Sequence, residues 1–266
     1  MLCYAYAGSP VWGAKRVMCN VESISAVFPA YNDAPTIGGL VDRTIALLQS
    51  LGRDFEIIVV DDGSADRTSE VLAQRRSQYG EALRVVRHPV NRGYGAALRS
   101  GFDAASKELV FYTDGDGQYD PGELPLLLER LTPSIGLVNG YKIKRHDPLY
   151  RIVVGKTYNV FVRLVFRLQV RDVDCDFRLI RRSLLQQARL ESNSGVICVE
   201  IINSLQRLGC KMAEVPVHHY PRQAGRSQFF RLRAVTETLI QLVHLFFQKP
   251  PAVRSVPQEV PGTNLK

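Results

Sequence analysis

Short apolar runs that alternate with stretches of helical periodicity constrain the fold of this chain more than any other feature. The predicted strands are 24–28, 55–60, 83–87, 108–113 and 135–139, and the predicted helices are 36–51, 66–79, 93–105 and 122–131. Strands and helices that alternate at this spacing are typical of consecutive β–α units. The sequence therefore predicts an α/β fold with a mostly parallel sheet flanked by helices.

Length, charge and cysteine content limit the kinds of protein and partner that fit this sequence. A chain of 266 residues with 45% hydrophobic residues can bury one large core. The formal net charge of +8 favours phosphorylated substrates, nucleic acid or an anionic membrane surface as partners. Aromatic and basic residues do not alternate as a base-stacking platform requires, so nucleic acid is not predicted as a partner. The five cysteines form no CxxC pair, which fits a reducing cytosol.

A first acidic motif ends the second predicted strand. VVDDGSADRT (59–68) places Asp61 and Asp62 at the strand tip, where ligands of parallel sheets bind. Helix capping and turn formation explain Ser64 and Asp66, but they do not explain two adjacent carboxylates at a buried strand end. We predict that these carboxylates accept hydrogen bonds from a base N–H or a ribose hydroxyl, with a purely structural turn as the alternative.

A second acidic motif ends the fourth predicted strand. FYTDGDGQYDP (111–121) brings Asp114 and Asp116 to the same side of an extended segment, and Gln118 could add a neutral oxygen. Carboxylates in a D-x-D pattern suit Mg²⁺ or Mn²⁺ with positions left open for phosphate oxygens, whereas a surface turn is the alternative. The first strand is followed by PAYND (29–33) rather than the G-x-G-x-x-G of dinucleotide-binding folds.

A basic segment follows the last predicted strand. Residues 141–151 contain the cations Lys142, Lys144, Arg145 and Arg151. This cluster could hold a phosphate group, with an ordinary solvated face as the alternative. A phosphate acceptor is already anionic, but a hydroxyl acceptor needs a general base, for which Asp172 and Asp174 are candidates. His218 and His219, on a predicted strand before Pro221, are assigned structural roles.

Two amphipathic stretches suggest contact with a membrane surface. Residues 152–168 place Lys156, Asn159, Arg163 and Arg167 on one narrow stripe of a predicted helix, beside a wide apolar remainder. Residues 231–248 form a second such helix, for which packing against the domain or a second copy of the chain is the alternative. No uncharged run reaches the roughly 18 residues that a spanning helix needs.

The motifs together resemble a known family. VFPAYND (27–33), VVDDGSADRT (59–68), NRGYGAALRSGFDAA (91–105) and FYTDGDGQYDP (111–121) resemble the inverting glycosyltransferases of family 2, which have the GT-A fold. DVDCDFRLIRR (172–182) and VPVHHYPRQAGRSQF (215–229) are similar to the dolichol- or polyprenyl-phosphate mannosyl- and glucosyltransferase branch. The likeness covers about residues 24–230. Asp176 departs from it, because that branch usually has a small residue there, often Gly.

The resemblance implies a role for each matching position. It implies that the nucleotide sugar is bound by Pro29, Tyr31, Asp33, Asp61 and Asp62, and that Mg²⁺ or Mn²⁺ is held by Asp114, Asp116 and Gln118. It also implies that Arg222 closes over the donor diphosphate. The acceptor phosphate is then expected to be bound by Lys142, Arg145, Arg151 and Ser227. The implied reaction is transfer of a hexose from a UDP- or GDP-sugar to polyprenyl phosphate, with inversion. A saccharide hydroxyl as acceptor, or a non-catalytic basic module that binds lipid or nucleic acid, are the alternatives.

The expected organisation follows from these assignments. A catalytic domain spans residues 23–230, an N-terminal extension without fixed structure spans 1–22, and a similar tail spans 249–266. With its two amphipathic helices, the protein is expected to be peripheral, at the cytoplasmic face of the cell membrane.

Overall fold

The computed structural model describes residues 22–143, 149–222 and 232–247; for 149–151 and 232–237 the description covers the backbone only. The strands are β1 Ile24–Ala30, β2 Phe55–Asp61, β3 Leu83–Arg87, β4 Leu109–Thr113, β5 Ile135–Lys142, β6 Phe177–Arg181 and β7 Lys211–Val217. The helices are α1 Ala34–Ser50, α2 Thr68–Tyr79, α3 Tyr94–Ala104, α4 Leu124–Arg130, α5 Leu149–Phe166, α6 Arg182–Leu185, α7 Ile197–Arg207 and α8 Leu232–Phe247. The predicted extension up to residue 21 and the tail 249–266 lie outside the described residues.

The predicted α/β fold is confirmed. Within the described residues, one seven-stranded sheet has the order β3-β2-β1-β4-β6-β5-β7. β1 pairs in parallel with both β2 and β4, while β6 runs antiparallel to β4 and β5. The chain builds outward from β1 to β3 and then returns to place β4 on the other side of β1. Such a reversal of strand order opens a crevice at the carboxyl ends of the two central strands.

Both faces of the sheet are covered, which explains why its central strands are fully buried and mostly apolar. In β4, Leu109 and Phe111 join the core cluster beneath α1 and α4, whereas Val110 and Tyr112 join the cluster beneath α3 and α7. Every residue of β1 and β4 is buried. The loops at the carboxyl ends of these strands are therefore attached to a well-packed core.

One local prediction was wrong. β7 ends at Val217, so His218 and His219 follow the strand; the N–H of His218 donates to the Glu123 carboxylate, 2.9 Å away, instead of to a neighbouring strand. In α5, the polar stripe that includes Asn159 makes contact with the domain. The Asn159 side chain donates to the carbonyl of Arg171 at 2.7 Å and accepts from the N–H of Val173 at 3.0 Å, so this side of the helix faces the domain.

None of the described helices combines the length and the apolar content that crossing a bilayer requires. The α5 helix leaves a mostly apolar side exposed, consisting of Val153, Val154, Val160, Phe161 and Leu164. The α8 helix packs on the domain through Leu242 and Leu245 and exposes Leu239, Ile240, Val243, Phe246 and Phe247. The rings of Phe166 and Phe246 lie 6.2 Å apart, so the two helices are neighbours.

Candidate functional site

The loop after β4 is fixed tightly against the end of β1. Thr36 Oγ1, in the first turn of α1, donates to the Gly115 carbonyl at 2.8 Å. A Cβ atom on Gly115 would lie 2.7 Å from the Pro29 carbonyl oxygen, closer than real Cβ contacts allow. Glycine is therefore required between the two aspartates, and the loop places Asp114 and Asp116 in the crevice between β1 and β4.

Asp114 is a carboxylate in an unfavourable electrostatic position. Burial raises its pKa well above the usual range, and the negative charges of Asp176 and Asp116 raise it further. The Tyr94 hydroxyl donates to Asp114 Oδ1 at 2.7 Å and, with the Lys142 charge, opposes this rise. Negative charge is therefore in excess around Asp114, and a bound cation would balance it.

Asp116 already has a cationic partner. Arg222 Nη2 lies 2.6 Å from Asp116 Oδ2, and the Gln118 N–H donates to Asp116 Oδ1 at 3.0 Å. Burial raises the pKa of Asp116, and the charge of Arg222 counteracts that effect. The structure thus joins two residues that are 106 positions apart in sequence and that the resemblance assigned to one diphosphate site.

Asp176 is a third carboxylate at the same place, where the family pattern predicts a small residue. In the antiparallel pair of β4 and β6, Thr113 lies opposite Phe177, so Asp114 and Asp176 follow as the next opposing positions. Like charges placed opposite each other in this way are destabilising. Cys198 Sγ donates to Asp176 Oδ1 at 3.0 Å. Nothing local in the sequence pairs these non-consecutive strands, so the contact could not be foreseen.

The segment after β1 borders the same crevice. Burial raises the pKa of Asp33 to about 6, and its carboxylate accepts the N–H of Tyr31 at 3.0 Å. The charges of Asp116 and Arg222 also act on Asp33, which locates it beside them. The Tyr31 side chain is partly exposed. Contact of Pro29, Tyr31 and Asp33 with a nucleoside stays a prediction.

Asp61 and Asp62 are buried and organise the neighbouring loops. Asp61 accepts from the Ser64 N–H at 2.9 Å and from the Ser69 hydroxyl at 2.6 Å. Asp62 lies 2.6 Å from His88 Nδ1 and accepts the N–H groups of Arg92 and Gly93, each at 2.9 Å. The carboxylates therefore have structural partners, and their predicted contact with a nucleoside stays a prediction.

The N-terminus of α3 explains the glycines of NRGYGAA (91–97). The Gly95 N–H donates to the Asn193 carbonyl at 2.9 Å, and a Cβ atom on Gly95 would lie only 2.1 Å from the Ser192 carbonyl oxygen. Glu200 holds the other side of this contact by accepting the N–H of Ser192 at 2.9 Å. These glycines thus allow close packing beside the site.

Among the described residues of the predicted phosphate-binding cluster, Lys142 lies near Asp114 and Asp116. Its Nζ donates to the Asp174 carbonyl at 2.6 Å, and its charge lowers the pKa of both Asp114 and Asp116. The Asp172 carboxylate accepts the N–H groups of Lys142 and Asp174, at 3.3 and 3.2 Å, and so holds this turn. Arg145, Ser227 and the side chain of Arg151 lie outside the described residues.

The oxygen atoms of Asp114 and Asp116 suit Mg²⁺ or Mn²⁺. Among the side chains that the structure describes, no group of three or more His, Cys, Asp or Glu is arranged to hold a metal ion by itself. Mg²⁺ commonly binds through one or two carboxylates and completes its shell with water and phosphate oxygens. Gln118 donates its side-chain amide to the Tyr220 carbonyl at 3.1 Å, and its own amide oxygen remains a candidate ligand.

Solved structures with this architecture include the glucosyl-3-phosphoglycerate synthase of Mycobacterium tuberculosis in complex with Mn²⁺, uridine diphosphate and phosphoglyceric acid. It has a TM-score of 0.66 and 22% identity, and the match covers 86% of this chain and 80% of that one. The same synthase with Mg²⁺ and uridine diphosphate has a TM-score of 0.64 and 23% identity, over 83% and 79% of the two chains. At this identity the likeness concerns the fold alone.

Curated relatives are more similar in sequence. The undecaprenyl-phosphate 4-deoxy-4-formamido-L-arabinose transferase of Pectobacterium carotovorum subsp. carotovorum (strain PC1) is 31% identical over 219 residues, which is 81% of this chain and 65% of that protein. The transferase of the same name from Pseudomonas aeruginosa (strain LESB58) is 32% identical over 215 residues, or 80% and 62% of the two chains. This chain thus spans slightly less than two thirds of the length of these relatives. Residues 25–189 match the sequence profile of glycosyl transferase family 2, and the chain belongs to that family.

Proposed function

We propose that this protein transfers a hexose from a UDP- or GDP-sugar to polyprenyl phosphate, with inversion, at the cytoplasmic face of the membrane. The observation that carries the proposal is the meeting of Asp114 and Asp116 with the cations Lys142 and Arg222 at the reversal point of the sheet. Carboxylates and cations in one crevice match a metal-bound diphosphate donor and an anionic acceptor. The names of the curated relatives, which are undecaprenyl-phosphate sugar transferases, support the same acceptor class.

The chemistry requires stabilisation of a leaving nucleoside diphosphate. A Mg²⁺ or Mn²⁺ ion held by Asp114 and Asp116, with Gln118 beside them, would neutralise charge on the diphosphate oxygens. Arg222 supplies a further cation to the same group. Lys142 attracts the acceptor phosphate, which needs no general base because it is ionised at neutral pH.

A transfer assay tests this proposal. We expect purified protein to move label from one of a panel of nucleotide sugars to undecaprenyl or dolichyl phosphate, giving an acid-labile lipid product. The panel should include a donor of 4-deoxy-4-formamido-L-arabinose, the sugar for which the relatives are named; this sugar is a pentose, so its transfer in place of a hexose would change the sugar class of the proposal. EDTA should abolish transfer and added Mn²⁺ should restore it. Undiminished turnover in EDTA would contradict the metal role, and an unlabelled lipid fraction with every donor would contradict the acceptor.

A second candidate function is transfer to a saccharide hydroxyl, which the position of Asp176 favours. A hydroxyl acceptor needs a base within hydrogen-bond reach, and Asp176, directly before β6, is the next position opposite Asp114, directly after β4. Asp172 is less suited, because its carboxylate holds the turn at Lys142.

The Asp176→Asn substitution separates the two functions. If the acceptor is a phosphate, we expect transfer to fall less than about tenfold, because no base is required. If the acceptor is a hydroxyl, loss of the base should lower kcat by at least about a hundredfold at unchanged donor affinity. Steady-state rates, with donor binding measured by calorimetry, decide between them. Asp120→Asn, in the loop after β4, is the matched control, since Asp120 caps a short 3₁₀ turn through its side chain.

Membrane association is the part of the proposal that rests on α5 and α8. Their adjoining apolar side chains remain largely exposed; Leu164 on α5 is 73% exposed and Ile240 on α8 is 64% exposed. Lys156 lies on the exposed side of α5, where it could meet anionic headgroups. Burial of a single large apolar side chain contributes about 1.5–3 kcal/mol.

We expect Leu164→Glu and Ile240→Glu each to weaken binding to vesicles of phosphatidylglycerol and phosphatidylcholine by at least about tenfold in sedimentation assays. Leu126→Glu is the control, because Leu126 is 38% exposed on α4, beneath the opposite face of the sheet. Equal binding by all variants would contradict this docking mode. A second copy of the chain is the competing occupant, and the substitutions would then change the mass measured by light scattering without vesicles.

A further inference from the structure

The ion pair between Arg222 and Asp116 engages a carboxylate that the proposed function assigns to the metal. The Asp116 side chain is only 7% exposed, and Arg222 Nη2 approaches its Oδ2 atom to 2.6 Å. Asp114, the other carboxylate of the motif, accepts from the Tyr94 hydroxyl and has no ion pair among the described residues. Arg222 thus neutralises one specific member of the pair.

The segment that carries Arg222 is anchored independently of this ion pair. The Tyr220 N–H donates to the Gln118 carbonyl at 2.8 Å, and the Gln118 side-chain amide donates to the Tyr220 carbonyl at 3.1 Å. These two hydrogen bonds fix the chain two residues before Arg222. The guanidinium can therefore leave Asp116 while its backbone stays beside the loop after β4.

We propose that Arg222 and the divalent cation bind Asp116 in turn, so that loading of the metal releases Arg222 toward the donor diphosphate. This inference rests on the proposed function, because it uses the same metal site. A divalent cation and a guanidinium on one buried carboxylate repel each other strongly at low effective dielectric. The cation therefore displaces Arg222, and the released guanidinium pairs with the diphosphate that the metal brings.

This exchange gives Arg222 two effects of opposite sign. Without nucleotide, Arg222 competes with the cation and weakens its binding. With a nucleoside diphosphate, Arg222 binds the phosphates and strengthens the complex. A residue that merely supported the fold would change both affinities in the same direction.

Titration of Mn²⁺ followed by electron paramagnetic resonance tests the inference on the full chain. We expect Arg222→Gln to bind Mn²⁺ alone roughly fivefold more tightly than the unsubstituted protein, the scale of a partly exposed ion pair. The same variant should bind uridine or guanosine diphosphate in the presence of Mn²⁺ at least about tenfold more weakly. Arg222→Lys keeps the charge and should restore most of the competition with Mn²⁺. Arg189→Gln removes an exposed arginine whose Nε lies 2.5 Å from Glu191 Oε1, outside the proposed site, and should change neither affinity.

The outcomes distinguish this inference from the proposed function. If the unsubstituted protein binds Mn²⁺ and Asp116→Asn does not, the metal site stands, and equal or weaker Mn²⁺ binding by Arg222→Gln then overturns only the exchange. If the unsubstituted protein binds no Mn²⁺ with or without nucleotide, the metal site itself is refuted. Matching circular dichroism melts exclude misfolding of the variants as a cause.

Discussion

Asp116→Asn is expected to lower the rate of sugar transfer by at least about a hundredfold while the fold is retained. The substitution removes a charged metal ligand, and loss of electrostatic stabilisation of this kind costs factors of about 10² to 10³ or more. Asparagine keeps the size of the side chain and can still accept the N–H of Gln118, which bonds to Asp116 Oδ1 at 3.0 Å. Steady-state kinetics with saturating Mn²⁺ measure the effect.

Asp120→Asn provides the matched control, in the same loop and with the same chemical change. Asparagine can replace Asp120 as acceptor of the Gly122 N–H at 2.9 Å, so we expect nearly full activity. An Asp116→Asn variant that retained more than about a tenth of the activity would contradict the assignment of this carboxylate to the metal.

The second large effect is expected in stability, from Arg178→Met. Arg178 is fully buried and connects four parts of the fold through its guanidinium. It donates to Asn139 on β5 at 2.7 Å, to the Tyr112 hydroxyl on β4 at 2.5 Å, to the carbonyl of Cys198 on α7 at 3.3 Å and to the carbonyl of Val173. Methionine fills similar space but leaves these buried acceptors without their donor.

Removing one partner of a buried charged network costs about 3–5 kcal/mol of unfolding free energy. We therefore expect a fall in Tm of roughly 10 °C for a chain of this size, measured by calorimetry and checked by urea denaturation. Arg84→Met is the control, because Arg84 is exposed and donates a single bond to the Ala104 carbonyl at 3.2 Å. A fall no larger than that of the control would refute the structural role of Arg178.

The predictable part of the molecule is the part determined by local sequence. β3 was predicted at its observed bounds, and the acidic motifs lie at strand ends as expected, because apolar runs and turn residues are read within a few positions. The opposition of Asp114 and Asp176 depends instead on the pairing of β4 with β6, strands separated by more than 60 residues. The contacts of Asn159 could not be predicted for a similar reason, since its partners Arg171 and Val173 follow the helix and helical periodicity does not reveal them.

The hydrogen bonds between Gln118 and Tyr220 also limit how far the Arg222 side chain can move. Only two peptide units separate Tyr220 from Arg222, at most about 7 Å of chain. The guanidinium can therefore move only a short distance from the anchored backbone of Tyr220, and it samples a small volume. The effective concentration of the guanidinium at the diphosphate therefore remains high. The number of residues between Tyr220 and Arg222 is then as constrained as the identity of the arginine itself.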